Sequence, residues 1–213
     1  LGLASCLCLG AVAAHFYPGG TYWDREAVGF GLTNFWCDLL RPVALSGADN
    51  GVGARAAQFA LLALALGLGP FFSLARAELG FAGWRRLVTN FGAWGGRIAI
   101  ILVAAGTGRL PSAVHDWAIL LGAPLGLLTL CLVVVCSSRL ARFLPLLGGA
   151  GLALGLWNLL EYAREALLRA PSWPGLPLVQ KAATLAVLTF LTLFLAQALR
   201  RDAGQRERAQ HRG

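Results

Sequence analysis

AAQFALLALALGLGPFFSLA, residues 56–75, is a run of twenty residues without a charge. At about 1.5 Å of rise per residue, a helix of this length covers about 30 Å, the thickness of the hydrocarbon core of a bilayer. The segment therefore reads as a membrane span. Its Gly67, Gly69 and Pro70 do not count against that, because membrane helices tolerate Gly and Pro better than soluble ones. Comparable apolar runs recur at 1–17, 92–108, 116–137, 144–163 and 178–199.

Of the 213 residues, 57% are hydrophobic and 13% are charged. A soluble domain carries about 25% charge. The expected fold is all-α: a bundle of six transmembrane helices forming one domain over 1–199. A polar, basic tail, RRDAGQRERAQHRG, follows over 200–213 and is expected to fray. No internal repeat is visible. The chain has no Met and opens mid-pattern at Leu1, so its true start is expected upstream. No small-residue cleavage site follows the opening run and no basic region precedes it, which favours a first span over a signal peptide.

The net charge is +8. Basic residues of membrane proteins gather on the cytoplasmic side, so nucleic acid is not an expected partner. With both termini cytoplasmic, the inner flanks hold ten basic residues: Arg76, Arg85, Arg86, Arg139, Arg142, Arg200, Arg201, Arg206, Arg208 and Arg212. The longer outer segments hold seven: Arg25, Arg41, Arg55, Arg109, Arg164, Arg169 and Lys181. Arg97, inside the third span, is expected to snorkel inward. Lys181 is the sole Lys; the other basic residues are Arg, and Ala, Leu and Gly are abundant. This composition points to a GC-rich bacterial genome and an inner-membrane location.

Between the first two spans, residues 18–55 then form a long outer loop. Val28, Leu32, Phe35 and Leu39 recur at helical spacing, and Asn34, Asp38 and Arg41 share another face. This pattern predicts an amphipathic helix over about 27–41, lying on the bilayer surface. Tyr17, Tyr22, Trp23 and Trp36 suit the headgroup region. Pro42 ends the helix, and SGADNGVG, from Ser46 to Gly53, is a turn-rich return to the second span.

The polar residues concentrate at the outer ends of the spans. His115 and Asp116 open the fourth span, Asn158 and Glu161 share a face near the end of the fifth, and Lys181 lies about one turn into the sixth. Asn34 and Asp38 hang above them in the loop. A bundle could bring these groups to one outward-facing pocket, since ionisable groups at membrane depth face a bundle interior or a water-filled cavity. His115, Asp116 and Lys181 are then the catalytic candidates. Asn34, Asp38, Asn158, Glu161 and Lys181 are the ligand-binding candidates.

Each has a plainer role available. Ser112 caps a helix that Asp116 favours through the dipole. Lys181 pairs with Glu161, and Asn158 bonds between helices. His115 and Asp116 are adjacent and point about 100° apart, so they are no ready-made dyad. No metal-binding spacing, Walker motif, dinucleotide fingerprint or GxSxG is present, and no metal or cofactor is expected. Cys6, Cys8, Cys131 and Cys136 lie in apolar runs and act as small hydrophobes. Gly151 and Gly155 form a GxxxG that marks close helix packing.

YPGG (Tyr17–Gly20), NFWCDLL (Asn34–Leu40) and ALSGADN (Ala44–Asn50), with HD at His115 and Asp116 and LPLVQK ending at Lys181, resemble signatures of bacterial six-span membrane families of unknown function. Their layout is similar to that of the DRAM/Frag/Sfk group. The wider group has a Ser-Asp pair where this chain has Cys37 and Asp38. The resemblance implies a six-helix bundle with a functional outer loop and no agreed activity.

Three functional classes follow. The first binds or senses a lipid or small amphiphile, or serves as an assembly partner for another protein or for a second copy of itself. The second is a membrane-embedded enzyme acting on lipid at the outer leaflet. The third is a small transporter or channel, against which stands an inner half that offers little polar beyond Thr129 and Arg97.

Overall fold

A computed structural model describes residues 1–106 and 112–210. Six α-helices follow in order: α1 (Gly2–Phe16), α2 (Gly51–Leu79), α3 (Gly83–Gly106), α4 (Ser112–Cys136), α5 (Leu144–Leu168) and α6 (Leu176–Gln210). Five of them, α2 to α6, are long and apolar enough to cross a membrane. α1 is apolar but has 15 residues. Among the described residues there is no β-strand, only two isolated bridges within the loop between α1 and α2.

Each helix packs on the next in sequence. Small residues permit the close approach. A Cβ on Gly92 would stand 1.7 Å from the Thr129 hydroxyl, and one on Gly122 would stand 2.0 Å from the Ala99 methyl, so α3 and α4 lie backbone to backbone. Gly2 of α1 meets Gly67 and Ala63 halfway along α2. Gly151 of the expected GxxxG abuts Val187 of α6. Interfaces of this kind hold helices together in lipid, where no hydrophobic gain separates helix from solvent. The outward surface remains apolar: Leu66, Phe91, Leu121 and Leu185 are all exposed, as lipid-facing side chains are.

The helix ends follow the sequence. α2 stops at Gly80, whose φ of +64° sets a left-handed turn. The Gly80 and Phe81 N–H groups return to the Ala77 and Arg76 carbonyls, a Schellman closure. Pro145 occupies the first turn of α5, where its missing N–H costs nothing. Pro70 and Pro124 lie inside α2 and α4.

Three boundaries differ from the sequence expectation. α3 begins at Gly83 rather than 92, which carries Arg97 about 21 Å along the helix from its start, near the middle of the span. Arg97 thus has nearly four turns of helix ahead of it. α6 continues through the expected frayed tail to Gln210. The amphipathic helix expected over 27–41 is not formed, and a single five-residue 3-10 turn, Trp36–Leu40, stands in that region. Val28 and Leu32 are exposed while Leu39 is buried, so the assumed apolar face does not exist. Gly29, at φ +71°, turns the chain where a helix would need to continue. Arg109, Pro111 and residues 211–213 lie outside the described residues, as does the Ser112 side chain expected to cap α4.

Two apolar clusters fill the bundle. The larger joins Phe71, Phe72 and Leu79 of α2 to Val133 and Val134 of α4, Leu144 of α5, and Phe190 and Phe194 of α6. It seals the half of the bundle away from the α1–α2 loop. The smaller joins Ala13 and Tyr17 to Leu39, Leu40 and Ala44 of the loop and Ala56 and Ala57 of α2.

Candidate functional site

The loop of residues 17–50 folds into a compact cap, built by side chains that bond to backbone. The Tyr17 hydroxyl donates to the Gly20 carbonyl at 3.3 Å and accepts from the Leu45 N–H at 3.2 Å. Gly20, at φ +85°, lies so close to Ser46 that a Cβ would fall 2.1 Å from its backbone nitrogen. The Asn34 amide donates to the Gly20 carbonyl at 2.7 Å and its oxygen accepts from the Gly31 N–H at 2.9 Å. Asp38 Oδ2 accepts from the Phe35 N–H at 2.8 Å, which caps the 3-10 turn. Asn50 donates to the Leu39 and Arg41 carbonyls at 3.2 and 2.8 Å. Asn34, Asp38 and Asn50 are each 1% exposed. Buried polar groups of this kind are costly unless bonded, so each fixes a local backbone path.

The start of α6 clamps this cap. Gln180 Oε1 accepts from the Trp36 N–H at 2.8 Å. The Lys181 ammonium donates to the Asn34 carbonyl and sits 4.7 Å from the Phe30 ring centroid and 5.5 Å from that of Trp36. Phe30 and Trp36 are stacked at 5.4 Å. Four stretches quoted from the sequence, YPGG, NFWCDLL, ALSGADN and LPLVQK, are thereby joined in one unit.

Electrostatics follow from burial. Burial raises the Asp38 carboxyl above its ordinary value, against the pull of the Phe35 N–H, Asn34, Arg41 and Lys181. Burial and the neighbouring Asp38 push the Cys37 thiol up to about 12, which leaves it without nucleophilic character at neutral pH. The Tyr22 hydroxyl is raised by burial and by Asp38.

The other expected site residues have partners of their own or line the cavity. Asp116 Oδ1 accepts from the Tyr162 hydroxyl at 2.6 Å, tying α4 to α5. His115, one residue earlier, is half-buried. Glu161 pairs with Arg164 at 2.7 Å rather than with Lys181. Asn158 faces a central cavity. The structure thus brings Asn34, Asp38 and Lys181 together and leaves Asp116 and Glu161 with partners of their own. Among the described residues, no three His, Cys, Asp or Glu side chains gather as metal ligands would.

The central cavity, of about 420 Å³, lies between α2, α3, α4, α5 and α6. Its wall is mainly Leu, Ile, Ala and Gly. Asn158, Gln180 and Thr184 are its polar groups toward the cap, and Arg97 is its charged one. Phe72, Leu130 and Leu191 close it on the side of the larger apolar cluster. Leu61 and Val103 belong both to its wall and to the packing beneath the cap.

Sequence reasoning missed Gln180, Asn50 and the depth of Arg97. Gln180 stood next to Lys181 in LPLVQK, and Asn50 ended ALSGADN, so both signals were adjacent to residues already singled out. Comparison with family models, curated proteins and solved structures finds no match to this chain.

Proposed function

We propose that this chain is a multi-pass bacterial inner-membrane protein that binds or senses a membrane lipid or similar amphiphile in its central cavity, beneath a fixed extracytoplasmic cap. In this reading α1 is a sixth membrane segment, both termini are cytoplasmic, and the resemblance to six-span families with a functional outer loop holds. The observation that carries the reading is the cavity itself. Its volume of about 420 Å³ falls among ligand pockets, which run from roughly 300 to 1,000 Å³. An apolar wall with a few polar groups suits an acyl chain better than a polar solute. Asp116 and Glu161 are engaged by Tyr162 and Arg164, which favours binding over catalysis in this reading.

Gly126 provides the test. It lines the cavity, and a Cβ added there meets nothing within 4 Å. Gly126→Leu would extend from that free Cβ position into the cavity. Purified in mild detergent, the parent protein is expected to retain lipid in near-stoichiometric amount, and the variant to lose at least about three-quarters of it with its thermal stability intact. Equal lipid in both, counted by mass spectrometry, would reject the cavity as the binding site.

A further inference from the structure

Arg97 is placed where a charge is costly. It lies 14 residues into the 24 of α3. Its Nε donates to the Ala65 carbonyl at 2.8 Å, and its guanidinium rests 4.6 Å from the Trp94 ring centroid. Among the described residues no carboxylate lies within ion-pairing distance of it. A guanidinium has five N–H donors, and the bond to Ala65 uses one. Gly69 makes the room: a Cβ there would come within 3.0 Å of Nη1. Side chains on a helix lean toward its N-terminus, so Arg97 leans away from the cap.

In that direction lies a second cavity, of about 400 Å³, between α2 and α3. Arg97, Phe72 and Ala93 line both this cavity and the central one. Its polar groups are Ser73, Arg76 and Asn90. Arg76 donates to Asn90 and, at 3.0 Å, to Ser73, so it is held in place on the cavity wall. The two spaces adjoin at Phe72, Ala93 and Arg97, one walled by basic and polar groups and the other by apolar ones. Two guanidinium groups without a carboxylate call for an anion, and Arg binds phosphate or carboxylate oxygens in a two-pronged fashion. An unpaired charge at this depth is otherwise expensive.

We propose that Arg97 and Arg76, with Asn90 and Ser73, hold the anionic headgroup of a membrane lipid from the leaflet opposite the cap, its acyl chain running into the central cavity. This rests on the cavity being the amphiphile site, and it adds the headgroup class, the leaflet and the residues that choose them.

The test uses the full chain, delipidated and returned to vesicles of phosphatidylcholine with or without phosphatidylglycerol. Lipid retained after re-extraction is then counted by mass spectrometry. The expected result is retention of phosphatidylglycerol at least about tenfold above its share of the vesicle. Arg97→Gln abolishes that preference while still retaining phosphatidylcholine, and Arg97→Lys keeps part of it. Arg76→Gln weakens it too, and serves in place of Arg97→Gln should that variant not fold. Gly126→Leu loses both lipids. Unchanged preference in Arg97→Gln, or in Arg76→Gln where it is the variant used, overturns the headgroup assignment and leaves the cavity reading standing. Full retention in Gly126→Leu overturns the cavity reading instead. Displacement of phosphatidylglycerol by millimolar inorganic phosphate would show a site for free anion, and would overturn the lipid as its occupant.

Discussion

The Lys181 ammonium on α6 donates to the backbone carbonyl of Asn34, a residue 147 positions earlier in the cap. No side-chain acceptor is involved, so the bond fixes the path of the loop rather than the identity of a neighbouring residue. The Gln180–Trp36 bond beside it does the same. Lys181→Met keeps the stem and removes the charge. A hydrogen bond to a charged group is worth about 1.5–3 kcal/mol. Amide exchange across residues 17–50 should therefore accelerate by roughly thirtyfold, at tenfold per 1.4 kcal/mol, while α3 and α4 keep their protection. Exchange followed by mass spectrometry decides this, and a cap as protected as in the parent would mean Lys181 is no clamp.

Asn50 and Gly53 form a second coupled pair. A Cβ on Gly53 would lie 2.2 Å from Asn50 Oδ1, which is buried without a donor among the described residues. Asn50→Ala strands the Leu39 and Arg41 carbonyls and is expected to cost about 1–3 kcal/mol. Gly53→Ala displaces the same amide and costs a similar amount. The double variant should cost clearly less than the sum, because the methyl then occupies the space the amide has left. Thermal unfolding of all four proteins measures the coupling; additive losses would show that the two positions act separately.

Cys37 should be inert in the folded protein. Moving a thiol from 9.0 to about 12 reduces its thiolate about a thousandfold. A water-soluble maleimide at pH 7.5 is expected to label Cys37 at least about a hundredfold more slowly in the native protein than after unfolding in dodecyl sulfate. Variants with the other four Cys replaced by Ser isolate the signal. Rapid native labelling would mean that the cap opens in solution.

Asp38 sets a pH dependence with a definite sign. Its carboxyl is raised above 3.8 in the folded chain, so the folded state holds its proton more tightly than the unfolded one. Stability of the cap is thus greatest at acid pH, falls as pH rises from about 3.8 through the raised value, and levels off above it. Arg41 and Lys181 pull the other way and limit the fall. Asp38→Asn, which keeps an acceptor for the Phe35 N–H, should flatten that slope when cap exchange is measured between pH 4 and 7.

The spans were legible because a helix in lipid must be apolar over its whole length, and that leaves a plain run in the sequence. The start of α3 was not. GWRRLVTN, residues 83–90, reads as polar flank, yet it is helical from Gly83, and its Asn90 is used by Arg76 of α2. The loop helix failed for the opposite reason. Val28, Leu32, Phe35 and Leu39 have helical spacing, but Asn34 and Asp38 spend their side chains on nearby backbone, which competes with helix formation. Their importance was visible and their geometry was not. The central cavity left almost no trace, because Gly and Leu lining a void are indistinguishable in sequence from Gly and Leu packed against each other. Arg97 alone signalled it, and only its true depth gives that signal meaning.

α6 touches both the cap and the central cavity. Gln180 and Lys181 near its start hold the cap, Ala183, Thr184 and Val187 line the cavity, and Phe190 and Phe194 belong to the apolar cluster beyond it. Beyond them the same helix runs on to Gln210. After Pro177 in its first turn it has no proline, whereas α2 and α4 carry Pro70 and Pro124 in their interiors. It is one continuous helix of 35 residues, about 52 Å long, against a hydrocarbon thickness of about 30 Å. A displacement of Gln180 and Lys181 at the cap would therefore be carried along one unbroken helix, past the wall of the central cavity, to Gln210.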